Sequence, residues 1–281
     1  MFRLGYNTNG LAHHRVLDAL ELVSELGYEA VSLTPDVGAL DLYHLDPRVV
    51  GDVRRRAEDL GLELTVETGA RFLLDPRRKH RPTLLEELAS DRERRIDFLR
   101  RSIDLAHAIG AHVVSLWSGA APEGASTEAC WQRLHTGLVR VLDHARAAEV
   151  TIAFEPEPGM FVDRPDGYLE LRRRMGARAG ELGLCLDVGH LLVTGDVPVA
   201  QKIRELAPFL RHVHLDDIAG GVHEHVMFGR GDLDLAATMQ ALVDCGYSGV
   251  AAVELSRDSH RGAAAAEEAL AHLMRAILHK T

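Results

Sequence analysis

The chain has 281 residues, 46% of them hydrophobic, with a formal net charge of −10 and a pI of about 5.9. Such an acidic chain disfavours non-specific binding to nucleic acid or to an anionic membrane. The first residues contain no apolar run typical of a signal peptide. No segment approaches the ~20 apolar residues of a membrane span, so we expect a cytoplasmic protein. Three widely separated cysteines predict neither a disulfide framework nor a thiolate metal site.

Short apolar runs alternate with longer amphipathic segments along the whole chain. The apolar runs predict eight strands, at 2–7, 29–34, 62–67, 112–117, 150–155, 182–187, 211–215 and 249–254. The segments between and after them predict eight helices, at 13–26, 46–60, 91–109, 126–148, 166–178, 198–207, 234–245 and 261–279. This alternation, without a hairpin signal, predicts one α/β domain over 1–281, a single (β/α)8 TIM barrel.

The main alternative is an open, doubly wound parallel sheet. That fold needs a glycine-rich phosphate loop after an early strand, and the first loop, YNTNGLAHH, lacks the pattern G-x-G-x-x-G. Glycines are also placed to end four predicted helices just before the next strand, at Gly27, Gly61, Gly110 and Gly246. The repeated helix stop is typical of successive βα units, and the barrel is favoured.

Four predicted strands end in a residue that commonly binds metal ions. The fifth and eighth end in Glu155 and Glu254, the sixth in Asp187, and the seventh near His214. Three carboxylates and one imidazole at the same end of a barrel would be held together by a divalent cation. We therefore predict a metal site made by these four residues. Oxygen ligands with one imidazole favour Mn²⁺, with Mg²⁺, Co²⁺ or Zn²⁺ as alternatives.

Further polar and aromatic residues lie where loops would surround that site. Our candidates for binding the substrate are Glu67, Trp117, His190, His225 and Arg230. His190 follows Asp187 by three residues, so both can face one centre at a strand-to-helix turn. Arg230 would offer a fork of donors to a hydroxyl or a phosphate. The basic segment 71–81 is equally compatible with a phosphate or carboxylate site, a solvated turn and a subunit contact.

The segments LGLCLDVGH, RHVHLDD and HVMFGRGDLD, with the strand-ending glutamates, resemble the xylose isomerase-like barrel superfamily of sugar phosphate isomerases and epimerases. The resemblance covers essentially the whole chain and is strongest from the fifth predicted strand onward. It implies one divalent ion bound by Glu155, Asp187, His214 and Glu254. It further implies that Glu155 and Glu254 are the acid–base pair of an isomerase or epimerase that moves a proton through a metal-stabilised enediolate. A small carbohydrate substrate and a homodimer or homotetramer are implied as well.

Other members of the superfamily supply the alternatives. One is a metal-dependent lyase, either a dehydratase like inosose dehydratase or an enzyme that cleaves C-glycosides. Another is a nuclease of the endonuclease IV type, which needs histidines at the ends of two earlier strands. Glu67, Trp117 and Ser118 stand there instead, which disfavours it. Glu157 is closer to Glu155 than the additional substrate-binding glutamate of the epimerases. A non-catalytic barrel is disfavoured because all four predicted ligands are present.

Overall fold

Eight parallel strands pair in the order of the sequence, and the eighth pairs with the first to close a barrel. The structure is a computed structural model, and it describes residues 2–278. The strands are β1 (Arg3–Asn7), β2 (Ala30–Leu33), β3 (Glu63–Glu67), β4 (Val113–Leu116), β5 (Thr151–Phe154), β6 (Leu182–Asp187), β7 (Leu210–Leu215) and β8 (Val250–Val253). The predicted (β/α)8 TIM barrel is confirmed, and the closed pairing rules out the open sheet.

The helices surround the barrel. Within residues 2–278 the α-helices are α1 (Val16–Leu26), α2 (Pro47–Leu60), α3 (Ala89–Ile109), α4 (Thr127–Ala147), α5 (Pro165–Met175), α6 (Val188–Thr194), α7 (Val199–Leu206), α8 (Leu235–Asp244) and α9 (Gly262–Leu278). The last position of the final predicted helix, 279, lies outside the described residues. No helix in the described part of the chain has both the length and the apolar character that crossing a membrane requires.

One helix, α6, is absent from the sequence-based prediction. It begins directly after β6 because Asp187 caps it, with a carboxylate oxygen accepting a hydrogen bond from the backbone N–H of His190 at 2.9 Å. It ends after two turns at Gly195, whose φ is 73°. This short helix fixes His190 next to the end of β6. The predicted glycine stops are confirmed, as at Gly27, where φ is 101° and the N–H donates to Ser24 O.

Apolar side chains form a large layer between the barrel and its helices, and a small separate group lies inside the barrel. The inner group consists of Ala30, Val250 and Ala252. The interior also has a polar contact, since Ser32 Oγ lies 3.1 Å from Nε2 of the fully buried His212. Small residues inside the barrel leave space for larger side chains at the carboxyl ends of the strands, where barrel enzymes place their sites.

Candidate functional site

Four side chains from neighbouring strands meet at the carboxyl end of the barrel. Glu155 and Glu254 directly follow β5 and β8, Asp187 is the last residue of β6, and His214 is next to last in β7. One donor atom of each lies within 4.8 Å of a donor atom of every other one. The structure thus brings together the residues that the sequence predicts as metal ligands. We call these four residues the ligand cluster.

His214 lies at the centre of the ligand cluster. Its Nδ1 atom is 3.0 Å from Glu155 Oε1, 3.0 Å from Glu254 Oε2 and 3.8 Å from Asp187 Oδ2. Its Nε2 atom is 2.8 Å from Oε1 of Glu67, the last residue of β3. A single imidazole therefore faces four carboxylates. Such a crowd of negative charge favours a positive charge among its members.

The register of the strands places these side chains at one level. Asp187 pairs with His214 across β6 and β7, and His214 pairs with Ala252 across β7 and β8. Side chains alternate along a strand, so Cys185 and Ala252 face the same way as Asp187 and Glu254, one layer deeper. Cys185 and Ala252 are small and fully buried. The ligand cluster therefore rests on a compact floor of small side chains.

Burial shifts the acidities within the ligand cluster in different directions. Burial raises the pKa of Glu155 to about 7. Burial also opposes ionisation of Asp187 and Glu254, but nearby histidines outweigh it and hold the pKa of each carboxyl below its usual range. Burial opposes the charged form of His214, yet the acidic groups around it raise its pKa well above the usual value. The site thus stabilises a positive charge at its centre.

The ligand cluster fits a divalent cation. Asp187 is only 1% exposed, and its Oδ2 atom has no hydrogen-bond partner among the described residues. A buried carboxylate oxygen without a partner is costly, and a bound cation would remove that cost. Three carboxylates and one imidazole form a donor set that suits divalent ions such as Mn²⁺ or Mg²⁺. These four residues are the ones that would hold such an ion.

A group of three histidines lies beside the ligand cluster. His190 Nε2 is 3.0 Å from His223 Nε2, and His225 Nδ1 is 3.3 Å from Oδ2 of the buried Asp216. Nitrogen atoms of His190, His223 and His225 lie within 4.8 Å of one another. Burial lowers the pKa of His190 to about 4, so its imidazole is neutral at pH 7. A neutral imidazole can bind either a substrate oxygen or a metal ion.

The ligand cluster opens into a cavity of about 620 Å³, a volume typical of small-molecule sites. Three predicted substrate-binding residues, Glu67, Trp117 and His225, line this cavity. His190, the fourth, is not among the lining residues, although its Nδ1 atom lies 3.9 Å from Glu155 Oε1. The cavity wall also includes Glu157, whose pKa burial raises well above the usual value. The cavity is acidic at its floor.

Trp117 packs against His80 and Arg95 in the cavity wall. Its ring centroid is 5.5 Å from that of His80, at nearly a right angle, and the Arg95 guanidinium carbon lies 4.4 Å from its ring. Arg95 is 1% exposed; its Nη2 donates to Thr68 O at 2.9 Å. Burial lowers the pKa of Arg95 to about 9. The buried cation fixes the indole plane, so Trp117 offers a rigid surface to the cavity.

Arg230, predicted to contact the substrate, is not among the residues that line the cavity. Its side chain is 64% exposed, and its guanidinium lies 3.5 Å from Glu268 of α9. The cause is the loop that carries it. The carboxylate of the buried Asp217 accepts hydrogen bonds of 2.9–3.0 Å from the backbone N–H groups of Ile218, Gly229, Gly231 and Leu233. The loop wraps around Asp217, and Arg230 points outward.

Sequence reasoning missed three residues that support the site. Asp216 directly follows β7, accepts a hydrogen bond from the N–H of Gly189 at 3.1 Å and contacts His225. The pattern of acidic residues at strand ends could have identified it. Asp217 stands out in the sequence only as the second of two aspartates after β7. Asn9 donates from Nδ2 to Glu254 Oε1 at 2.8 Å, and nothing in its loop distinguishes it in the sequence.

Comparison with known proteins identifies relatives along most of the chain. The chain is 26% identical over 244 residues to L-ribulose-5-phosphate 3-epimerase UlaE of Shigella flexneri, covering 85% of this chain and 81% of that protein. It is 28% identical over 256 residues to 3-dehydroshikimate dehydratase of Pseudomonas aeruginosa, covering 88% and 37%. An uncharacterized Methanocaldococcus jannaschii protein is 25% identical over 166 residues, covering 57% and 56%. The chain thus spans about half or less of the length of the dehydratase and of the Methanocaldococcus jannaschii protein.

The fold is also that of solved structures. A D-tagatose 3-epimerase-like protein superposes with a TM-score of 0.78 at 18% sequence identity, covering 98% of this chain and 100% of that one. At that identity the likeness concerns the fold. A family model described as xylose isomerase-like TIM barrel matches residues 20–276. Since that match covers nearly the whole chain, the protein belongs to the xylose isomerase-like TIM barrel family.

Proposed function

We propose that this protein is an epimerase or isomerase of a small keto sugar or sugar phosphate and that it depends on a divalent metal ion, with Mn²⁺ as the preferred one. The observation that carries the proposal is the convergence of the ligand cluster at the floor of a sugar-sized cavity. Two of its members, Glu155 and Glu254, line that cavity and can also exchange protons with a substrate.

Glu155 and Glu254 are placed to act as a pair. Each lies 3.0 Å from His214 Nδ1, and they come from strands three positions apart in the barrel, so they flank whatever lies over His214. A divalent cation bound there would polarise a substrate carbonyl and make the hydrogen on the neighbouring carbon more acidic. One glutamate removes that proton. The other returns a proton to the opposite face or to the adjacent carbon.

Other residues of the site would bind and orient the sugar. Trp117 offers its ring to an apolar face of the sugar, because Arg95 holds the indole in place. His225, which lines the cavity, offers its imidazole to a sugar hydroxyl, and His190 acts through His223 of the cavity wall, whose Nε2 atom lies 3.0 Å from its own. Glu67 holds the His214 ring through Nε2 at 2.8 Å and so keeps Nδ1 directed at the other carboxylates.

The relatives support this assignment. UlaE, by its name, epimerises L-ribulose 5-phosphate, and its match covers 85% of this chain. Epimerisation beside a carbonyl requires two proton-transfer groups and a way to stabilise negative charge on the substrate oxygen. The ligand cluster provides both. The same name indicates a keto sugar as the class of substrate.

Dehydration is the second candidate, favoured by one relative and one side chain. The Pseudomonas aeruginosa relative is named a dehydratase and matches 88% of this chain. Loss of water needs an acid that protonates the departing hydroxyl. Glu157 lines the cavity, and burial raises its pKa well above the usual value, which favours its protonated form as such an acid. The two reactions begin with the same proton removal and differ in the next step.

The test is proton exchange in D₂O. Purified protein loaded with Mn²⁺, Mg²⁺ or Co²⁺ is incubated with ketopentoses, ketohexoses, their phosphates and 3-dehydroshikimate. We expect one deuterium to enter a keto sugar and a new epimer or isomer to form, as followed by NMR and mass spectrometry. Loss of 18 mass units would establish the dehydratase instead. Metal-loaded protein that exchanges no proton with any of these compounds would refute both candidates.

A further inference from the structure

We infer that the substrate carries an anionic group, a phosphate or a carboxylate, that binds to basic side chains in the wall of the cavity above the ligand cluster. The inference rests on the proposed function and adds the class of substrate to it. The binding surface consists of Arg71, Lys79 and Arg257, all of which line the cavity. We call these three residues the basic rim.

The chain holds two members of the basic rim in position by an unusual loop. Arg71 and Lys79 belong to the segment between β3 and α3, in which Ala70, Arg71 and His80 have positive φ values of 57°, 31° and 65°. The loop closes on itself, because the N–H of His80 donates to Arg71 O at 2.6 Å and His80 Nδ1 contacts Gly69 O. Strained backbone of this kind persists where surrounding contacts fix it, and it is concentrated at binding sites.

The charges of the basic rim are incompletely neutralised. Lys79 is exposed and makes no ion pair with another residue in the range 2–278. Arg71 has a single long ion pair, 3.4 Å from Nη1 to Asp36 Oδ2. Arg257 is paired with Glu224 at 3.1 Å, and both side chains are largely exposed to solvent. In a protein of net charge −10, the unpaired Lys79 and the weakly paired Arg71 form a local excess of positive charge in the cavity wall that attracts anions.

A chain of contacts connects the basic rim to the ligand cluster. Arg71 Nη2 donates to Asn9 O at 3.3 Å, and Asn9 Nδ2 donates to Glu254 Oε1 at 2.8 Å. One residue therefore separates the Arg71 guanidinium from the glutamate that we assign to proton transfer. A short sugar whose reacting carbon lies at Glu254 would place its far end near Arg71. The anionic group would thus be at the end of the sugar away from the reacting carbon.

The chemistry of the rim suits an oxyanion better than a hydroxyl. A guanidinium gives two parallel hydrogen bonds to a phosphate or a carboxylate, and an ammonium adds a mobile positive charge. Sugar hydroxyls need no cation, and the cavity already offers neutral polar groups for them at Thr34, Thr68 and Ser115. The same anionic group would be repelled by the acidic floor, so it fixes the orientation of the sugar.

Calorimetric titration of the Mn²⁺-loaded protein tests the inference without requiring turnover. L-ribulose, L-ribulose 5-phosphate and the keto-uronate D-tagaturonate are compared, so that neutral, phosphate and carboxylate forms are distinguished. We expect at least one anionic sugar to bind about 10- to 100-fold more tightly than L-ribulose. Arg71→Met and Lys79→Met should lower the affinity for the anionic sugar much more than the affinity for L-ribulose, and so remove most of that preference. Arg77→Met, in the same loop but outside the cavity, is the matched control.

The two possible failures are distinguishable. Equal affinities for neutral and anionic sugars, no measurable binding of the anionic ones, or an equal effect of Arg77→Met would overturn the inference. Turnover of neutral ketoses without any preference for anions would leave the proposed function standing and remove the anion site. Selective, Arg71-dependent binding of anionic sugars without proton exchange would do the reverse.

Discussion

Strands β5 to β8 end in ionisable side chains that face one another, whereas β1, β2 and β4 end beside the neutral Asn7, Thr34 and Trp117. The exception in the first half is Glu67, which contacts His214 of the second half. The first half instead contributes the loop that carries Arg71 and Lys79. The difference indicates a division of labour around one rim. Under the proposed function, the second half would supply the metal-binding and proton-transfer groups, and the first half would supply Trp117 and two of the three cations of the basic rim.

Replacing a glutamate in each half tests this division directly. Glu254→Gln should lower kcat by about 10²–10⁴-fold, because an amide cannot transfer the proton although it can still accept the hydrogen bond from Asn9. Glu67→Gln should lower kcat only about tenfold, because its role is to hold His214. Kinetics at saturating Mn²⁺, with bound metal measured in each variant, give the comparison. Equal losses in the two metal-loaded variants would contradict the division.

Glu155→Gln should have opposite effects in the presence and absence of metal. The pKa of Glu155 is raised to about 7 by burial, so its ionisation costs folding stability as the pH rises from 4.5, the unfolded value, through 7. At pH 8 in EDTA the variant should therefore unfold at a higher temperature than the native protein. In Mn²⁺ at 1,000 times its Kd the native protein should gain about 4 kcal/mol and the variant much less.

The control for this prediction is Glu63→Gln at the other end of the barrel, where Glu63 forms a partly exposed ion pair with Arg3 at 3.1 Å. Its unfolding should change by less than about 1 kcal/mol under both conditions. Scanning calorimetry in EDTA and in Mn²⁺ provides the measurement. A Glu155→Gln protein that is less stable than the native one in EDTA at pH 8 would show that ionising the buried Glu155 costs little folding stability.

Replacing Asp217 tests how the second half holds the loop after β7, which carries His223 and His225. Asp217→Ala should lower the free energy of unfolding by about 3–4 kcal/mol, because four backbone N–H groups, one buried and three partly buried, lose the acceptor that the buried Asp217 supplies. Asp217→Asn keeps one oxygen acceptor and should cost about half as much. Asp232→Asn, an exposed position of the same loop, should cost less than about 1 kcal/mol. Urea unfolding measures all three, and similar values for Asp217→Ala and Asp232→Asn would contradict this role.

The second half was the more predictable half of the molecule. A strand that ends in Glu155 or Asp187 places its side chain by alternation alone, so the sequence was sufficient to predict the meeting of the ligand cluster. Loops follow no such rule. The sequence does not show where the Arg230 side chain points, because that direction depends on hydrogen bonds to Asp217 that join residues 12 to 16 positions apart. Asn9 reaches Glu254 across 245 positions, and no local pattern reports that distance.

In the first half we expect a smaller effect, a pH dependence of folding stability that comes from His80 in the loop between β3 and α3. Burial lowers the pKa of His80 to about 4, below the unfolded value of 6.5, and the neighbouring cations Lys79 and Arg95 act in the same direction. Above pH 6.5 the imidazole is neutral in both the folded and the unfolded chain. As the pH falls from 6.5 toward 4 the unfolded chain binds the proton first, so folding stability is lost over that window.

His80→Asn should remove this part of the pH dependence. Asparagine accepts the positive φ of 65° and can donate to Gly69 O in place of the ring, so the loop should keep its shape. Between pH 6.5 and 5 the native protein in EDTA should lose about 2 kcal/mol more than the variant, whereas between pH 7 and 8 their difference should stay constant. Urea unfolding at each pH gives these values. If the two proteins lost stability in parallel from pH 6.5 to 5, the imidazole would be taking up its proton in the folded loop, and the wall around Trp117 would be open to water.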